Sequence, residues 1–172
     1  MRIVAGELRG RKIVAPVGDT TRPTTDMARE AIYNALTSLN VIVGSRVLDL
    51  FAGTGALGIE ALSRGAEHCI FIERDRDALT SLQENIKKLK LEDRATIVRA
   101  DASAGLARYT NIDFVLADPP YDFKNWQKLL DQISSDLVVA ESDREITGVS
   151  GWETTRAKRY GRTHVTYLRR VP

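Results

Sequence analysis

Cysteine is almost missing from this sequence: Cys69 is the only one in 172 residues. One thiol excludes an internal disulfide and a cysteine-rich zinc site. Lying inside an apolar run, Cys69 reads as a small buried hydrophobe, and the chain as cytoplasmic. Long apolar stretches are also lacking. None approaches the roughly 20 residues of a membrane span, and the opening Met1-Arg2-Ile3-Val4-Ala5-Gly6-Glu7 has no apolar core of a signal peptide. No internal repeat or low-complexity tract is present. Of only five prolines, two stand side by side in "LADPPYDF" at 116–123.

What remains suits one domain with a sizeable core, at 43% apolar content. The net charge is only +2, but basic residues crowd both ends. Arg2, Arg9, Arg11, Lys12 and Arg22 lie in the first segment, and Arg156, Lys158, Arg159, Arg162, Arg169 and Arg170 in the last. If the two ends meet in space they form one basic patch, which points to nucleic acid. A merely solvated surface has the same composition.

Residues 1–23, punctuated by Gly6, Gly10, Pro16, Gly18 and Pro23, read as short strands and loops. Thr24 and Thr25 are candidate N-caps for an amphipathic helix carrying Ala28, Ile32, Leu36 and Leu39 and ending near Asn40. Strands and helices then alternate. Strands are expected at 46–51, 69–72, 95–99, 112–117 and 137–141, and helices at 56–63, 75–90 and 125–133, with Gly65 as a left-handed cap. Two final strands, 152–159 and 163–169, read as a hairpin through Gly161. The expected fold is α/β: a mostly parallel sheet with helices on both faces and an antiparallel C-terminal hairpin. Ligands of such sheets bind beyond the carboxyl ends of the strands.

Chemistry gathers at those ends. Gly53, Gly55 and Gly58 form G-x-G-x-x-G between a strand and a helix, where the backbone can approach a ligand at a helix N-terminus. A tight strand-to-helix turn has the same pattern. Glu73 follows the next strand about 20 residues on, where an acid grips ribose hydroxyls; a surface acid at a helix start is the plainer reading. Asp101 and Asp118 follow the third and fourth strands. With Asp49, four successive strands end at or near an acid, which suggests one site. Asp49 precedes the glycines, where it would repel a pyrophosphate and suit a cationic amine.

Asp118-Pro119-Pro120-Tyr121 makes a rigid extended loop. The Asp118 carboxylate and the Pro119 carbonyl can both accept from one planar NH2 group, turning its lone pair towards an electrophile, while Tyr121 stacks on the ring that carries it. This fits methyl transfer from a sulfonium to an exocyclic base amine. The amine turns acidic only after attack, so no strong base is needed beforehand. A rigid turn with a packing tyrosine is the structural alternative.

On these residues the chain resembles the S-adenosylmethionine-dependent methyltransferases with a Rossmann-like core. Asp49 to Gly55 is similar to their first motif, and Asp118 to Tyr121 to the amino-methylating [DN]PP[YF] motif. More closely, it resembles the bacterial 16S rRNA guanine-N(2)-methyltransferase family. Arg9-Gly10-Arg11-Lys12, Thr21 to Asp26 and Ala56 to Gly65 carry this likeness, which covers nearly the whole chain.

The resemblance implies a seven-stranded sheet preceded by an RNA-contacting β extension over 1–23, with the methyltransferase domain over 24–172. It implies S-adenosyl-L-methionine as cofactor, no metal, and 16S rRNA of an assembled or assembling small subunit as partner; no uncovered apolar helix face stands out in the sequence, which favours a monomer. Phe51, Ala52, Gly53, Thr54 and Gly55 would pass the methionine part, with Asp49 near its amine and Arg22 and Thr24 closing over it. Glu73, with Arg74 beside it, would hold the ribose, and Asp101, with Ala102, the adenine. Asp118, Pro119, Pro120 and Tyr121 would hold an extruded guanine. Arg9, Arg11, Lys12, Lys158 and Arg159 would hold phosphates. Met27 departs from the family's usual basic residue, and the segments after Tyr121 and Glu141 are short.

Other functions remain open on the residues alone. A DNA adenine-N(6)-methyltransferase can use the same Asp-Pro-Pro-Tyr, though the length leaves no room for a target-recognition domain. Protein-glutamine methyltransferases usually begin the motif with Asn. A nicotinamide-dependent oxidoreductase is supported only by the glycines and Glu73. A non-catalytic RNA-binding assembly factor would leave Asp118 to Tyr121 without purpose.

Overall fold

The computed structural model describes residues 1–18 and 23–172, with side chains from Asp26 onward in the second stretch. Helix α1 spans Pro23–Ser38. It starts earlier than expected, so Thr24 and Thr25 fall inside its first turn and do not cap it; a proline suits the first helical position because its missing N–H would be unpaired there. Strand β1 (Arg46–Leu50) leads to α2 (Ala56–Ser63), β2 (His68–Glu73), α3 (Arg76–Lys88) and β3 (Ala95–Arg99). Then come β4 (Phe114–Ala117), α4 (Trp126–Leu130), β5 (Leu137–Ser142), β6 (Trp152–Tyr160) and β7 (Thr163–Arg170). The seven strands lie in the order β3-β2-β1-β4-β5-β7-β6. The first five pair in parallel, while β7 runs antiparallel to both β5 and β6.

Alternation along each strand divides the core in two. Val47, Phe71, Phe114, Leu116 and Val139 meet the apolar stripes of α1, α2 and α3 on one face. Leu48, Ile70, Val115 and Val138 face the other side. Helices cover both faces, but unequally. The expected helix over 125–133 shrinks to α4, and a single 3-10 turn at Leu106–Arg108 and the loop bearing Ile146 and Val149 complete that cover. On α1 the residues Ile32, Tyr33 and Leu36 are fully buried. Each contributes about 1.5–3 kcal/mol through lost apolar exposure, which holds α1 against the sheet.

Between Arg2 and Lys12 the N-terminal segment closes on one isolated antiparallel bridge. It is held to α2 by side chains. The Glu60 carboxylate, wholly buried, accepts from the N–H groups of Val4 and Ala5 at 3.0 Å each. Ser63 Oγ accepts from Leu8 N and donates to Ala5 O. Arg64 and Arg29 flank Glu60 at 3.0 and 3.7 Å, so the buried charge is paired, as it must be. Among the described residues no helix is long and apolar enough to cross a membrane.

Candidate active site

The glycine loop forms because β1 stops early. Strand pairing ends at Leu50, and Phe51, expected within the strand, takes a left-handed φ of 58°. Gly55 (φ 85°) is the N-cap of α2. The third glycine serves packing: a Cβ on Gly58 would stand 2.4 Å from Phe71 and 2.6 Å from Cys69 Sγ. The absent side chain lets α2 lie on the sheet and lets Gly58 N donate to Asp49 Oδ2 at 2.9 Å. Asn85 of α3 braces the loop from outside, donating to Thr54 O at 3.0 Å and to Val14 O at 2.9 Å.

Each strand-end acid then has its own surroundings. Asp49 is buried, and loss of solvation raises its pKa well above the ordinary carboxylate range, with Asp118 and Glu73 adding to the rise. Glu73 ties the second strand end to the glycine loop. Its Oε2 accepts from Gly53 N at 2.7 Å, and its Oε1 from the N–H groups of Arg74 and Asp75 at 2.8 and 2.9 Å. A carboxylate has further lone pairs, so this bracing leaves it able to accept from a ligand. Asp101 is exposed, and hydrogen bonds from Ser103, at 2.5 Å from the hydroxyl and 2.8 Å from the backbone, lower its pKa. Arg74 lies 3.4 Å from its other oxygen.

These elements enclose a cleft of about 1370 Å³. That exceeds the roughly 300–1,000 Å³ of a usual small-molecule pocket, so it has room for more than one ligand group. One part is lined by Glu73, Arg74, Asp101 and Ala102, another by Asp118 to Tyr121 with Gly161, Arg162 and Thr163 of the β6–β7 hairpin. A smaller adjoining cavity is lined by Asp49, Ala52, Gly53 and Thr54. Phe51 and Asp118 line both. Phe123 packs edge-on between Phe51 and Trp126, with centroids 5.4 and 5.1 Å away.

Asp118 opens onto the cleft, so water in the cavity reaches it, yet the surrounding walls remove enough solvation to raise its pKa from 3.8 to about 6. Its neighbours Pro119 and Pro120 leave the loop few donors of its own. The Tyr121 hydroxyl lies 2.8 Å from Thr163 Oγ1, which fixes the half-exposed ring against the hairpin.

Every described residue expected to touch cofactor or base, Gly55 apart, lines one of the two cavities; Gly55 shapes the loop. Arg22 and the Thr24 side chain lie outside the described residues. The basic residues fall in different places. Arg11 donates to Lys88 O at the C-terminal end of α3, away from the strand ends that carry the acids, with Arg9 and Lys12 exposed in the same N-terminal segment. Lys158 and Arg159 are exposed on the edge strand β6, next to the hairpin turn that lines the cleft.

Three side chains at the site escaped the sequence reading. Glu141, next to last in β5, lines both cavities. It carries the signal that marked the other acids, an acidic residue at a strand's carboxyl end. Arg29 is buried beneath the smaller cavity, and Thr163 holds Tyr121. For these two, no local pattern announces the role.

The sheet order, the glycine loop and the acids at successive strand ends define the class I methyltransferase fold, the class that draws its methyl group from S-adenosyl-L-methionine. A Synechocystis magnesium protoporphyrin IX methyltransferase solved with bound SAM shares this fold alone, at 13% identity and a TM-score of 0.69, over 90% of this chain and 87% of that one. This chain belongs to the family described as "Conserved hypothetical protein 95", which matches residues 1–169. It is 40% identical over 184 residues to YlbH of Bacillus subtilis, covering 99% of both chains. It is 32% identical to the Ribosomal RNA small subunit methyltransferase D of Haemophilus influenzae, over 94% of this chain and 89% of that one. The solved structure of yhhF from Escherichia coli superposes with a TM-score of 0.86 at 36% identity, covering 99% and 97%.

Proposed function

We propose that this protein is an rRNA methyltransferase that transfers a methyl group from S-adenosyl-L-methionine to the exocyclic N2 amine of a guanine in 16S rRNA of the small ribosomal subunit. The observation that carries the reading is Asp118. It is a carboxyl open to the cleft, on a rigid Pro-Pro support, between the cofactor side lined by Glu73 and Asp101 and the hairpin side lined by Arg162 and Thr163. The relatives' names as rRNA methyltransferases support the substrate class.

The bound cofactor supplies an electrophilic methyl group on a sulfonium. Asp49 would meet the cofactor's ammonium group, and Glu73 would accept from its ribose hydroxyls. Asp101 would accept from the adenine amine. Asp118 and the Pro119 carbonyl accept the two N–H protons of the target amine, which directs its lone pair at the methyl carbon. As the N–C bond forms, the methyl–sulfur bond would break and leave a neutral thioether, and the methylated nitrogen would be cationic and acidic. Its surplus proton passes to Asp118 and from there to water of the open cleft. Tyr121, fixed by Thr163, stacks on the extruded base. Residues 1–23 and the β6 edge would meet RNA phosphates. Such an enzyme acts as a monomer where ribosomes are built, in the cytoplasm.

Mass mapping of 16S rRNA from cells with and without this protein tests the assignment. One N2-methylguanosine should vanish in its absence. Loss of a methylated adenosine instead, or an unchanged map, overturns it.

A further inference from the structure

Of the five acids at strand ends, three have their carboxylates engaged by this chain's own donors: Asp49 by Gly58, Glu73 by Gly53, Arg74 and Asp75, and Asp101 by Ser103. Asp118 and Glu141 do not. No donor among the described residues reaches either carboxyl, although Glu141 is only 6% exposed. Both carboxyls therefore present free acceptor capacity to the cavity they line, where a ligand's N–H groups can meet it.

Register brings the two together. Ala117 of β4 pairs with Ala140 of β5, so Asp118 and Glu141 are the next residues on adjacent strands. Both line the cleft and the smaller cavity, and both share the cleft with Tyr121 and Thr163. Arg29 of α1 lines the smaller cavity with them. It is 2% exposed, its Nε and Nη1 have no hydrogen-bond partner, and its charge opposes the rise in the Glu141 pKa that burial, Asp118 and Asp49 impose.

Two adjacent open acceptors match one base edge. Guanine presents its N2 amine beside the N1–H, donors side by side. Adenine presents an amine beside a bare N1 lone pair, which a carboxylate repels. We propose that Glu141 accepts the N1–H of the target guanine while Asp118 holds the N2 amine, so that Glu141 selects guanine against bases with a lone pair at N1. This role rests on the guanine-N2 reading above and adds to it a named selectivity residue.

The test uses small subunits reconstituted with 16S rRNA that carries either guanosine or 2-aminopurine riboside at the methylated position. 2-Aminopurine keeps the C2 amine but has a lone pair at N1. Methyl transfer is measured as kcat/KM for the wild type, Glu141→Gln and Glu141→Ala. The wild type should disfavour 2-aminopurine by about a hundredfold or more, as sites built around a hydrogen bond do. In Glu141→Gln, whose amide can donate to a lone pair, the two substrates should come within about tenfold. Glu141→Ala should also discriminate less, with guanosine losing most. Cofactor affinity should hold, and melting should be no lower than in the wild type for the Gln variant. A purely structural Glu141 would lower both substrates alike and leave their ratio intact, which overturns the proposal. So does a wild type that accepts 2-aminopurine as readily as guanosine. A wild type that does not methylate the guanosine at all defeats the guanine-N2 reading first, and the role of Glu141 falls with it.

Discussion

At Asp118 the chemistry needs an ionised carboxylate, while the cleft walls favour its protonated form and place its pKa at about 6. Methyl transfer should therefore fall as pH drops through about 6, with near-full activity by pH 8; a pH–rate profile at saturating substrates checks this. Asp118→Ala should cut kcat by about a hundredfold or more, within the usual range for losing one preorganised transition-state contact, while calorimetry finds cofactor affinity largely retained. A collapse in cofactor affinity would place Asp118 on the cofactor side instead. The same residues set a stability trend. Asp49, Asp118 and Glu141 all have folded pKa values raised by burial. Above their ordinary range the folded state binds more protons than the unfolded one, so their contribution to stability declines as pH rises from about 4 through the folded pKa values. Glu141→Gln removes one such group. Its melting temperature should exceed the wild type's by a few degrees at pH 8 and match it near pH 4. Most site residues were legible because each acid lies within two residues of a strand's carboxyl end. Glu141 carries the same mark from within its strand. That it stands beside Asp118 depends on β4 pairing with β5, a matter of tertiary order.

At the scale of elements, the strand-to-helix turn after β1 is the sharpest structural demand. Gly58→Ala would press a methyl group to within 2.4 Å of Phe71 and 2.9 Å of Asp49 Oδ2. Overpacking of this kind costs about 1–3 kcal/mol, and denaturant unfolding should show that loss together with weaker cofactor binding. The β6–β7 hairpin is the other such element. Thr163→Val removes the partner of the Tyr121 hydroxyl. It should raise KM for the RNA several-fold, as loss of about 1 kcal/mol does, with cofactor affinity unchanged. The strands were readable from alternation and apolar runs, and the long helices from their stripes. The brevity of α4 was not. Ile133 continues its apolar pattern and is buried with Leu129 and Leu130, but beyond the helix end, so the stripe outlasts the backbone hydrogen bonding.

Across the whole molecule, charge position matters more than net charge. The N-terminal segment that carries the first basic residues is tied to the helix layer by Val4 and Leu8 on Glu60 and Ser63 and by Arg11 on Lys88 O. Of the C-terminal ones, Arg156, Lys158 and Arg159 sit on β6 at the edge of the sheet, Arg162 lies in the turn that lines the cleft, and Arg169 and Arg170 end β7. Charges on an edge strand also guard against edge-to-edge pairing, so a direct test is needed. Reversing Lys158 and Arg159 to Glu should weaken RNA binding and reduce the salt dependence of affinity by about one unit of slope per lost phosphate contact. Folding should be unaffected, since both side chains are exposed. Sequence alone shows two basic ends and the hairpin; only the fold shows that the hairpin turn beside β6 lines the cleft. The central claim is tested most directly by incubating the purified protein with methyl-labelled S-adenosyl-L-methionine and small subunits from cells lacking it, then digesting the rRNA to nucleosides. Label in N2-methylguanosine is the result expected. Label in N6-methyladenosine, or none in RNA while the cofactor binds, would contradict it.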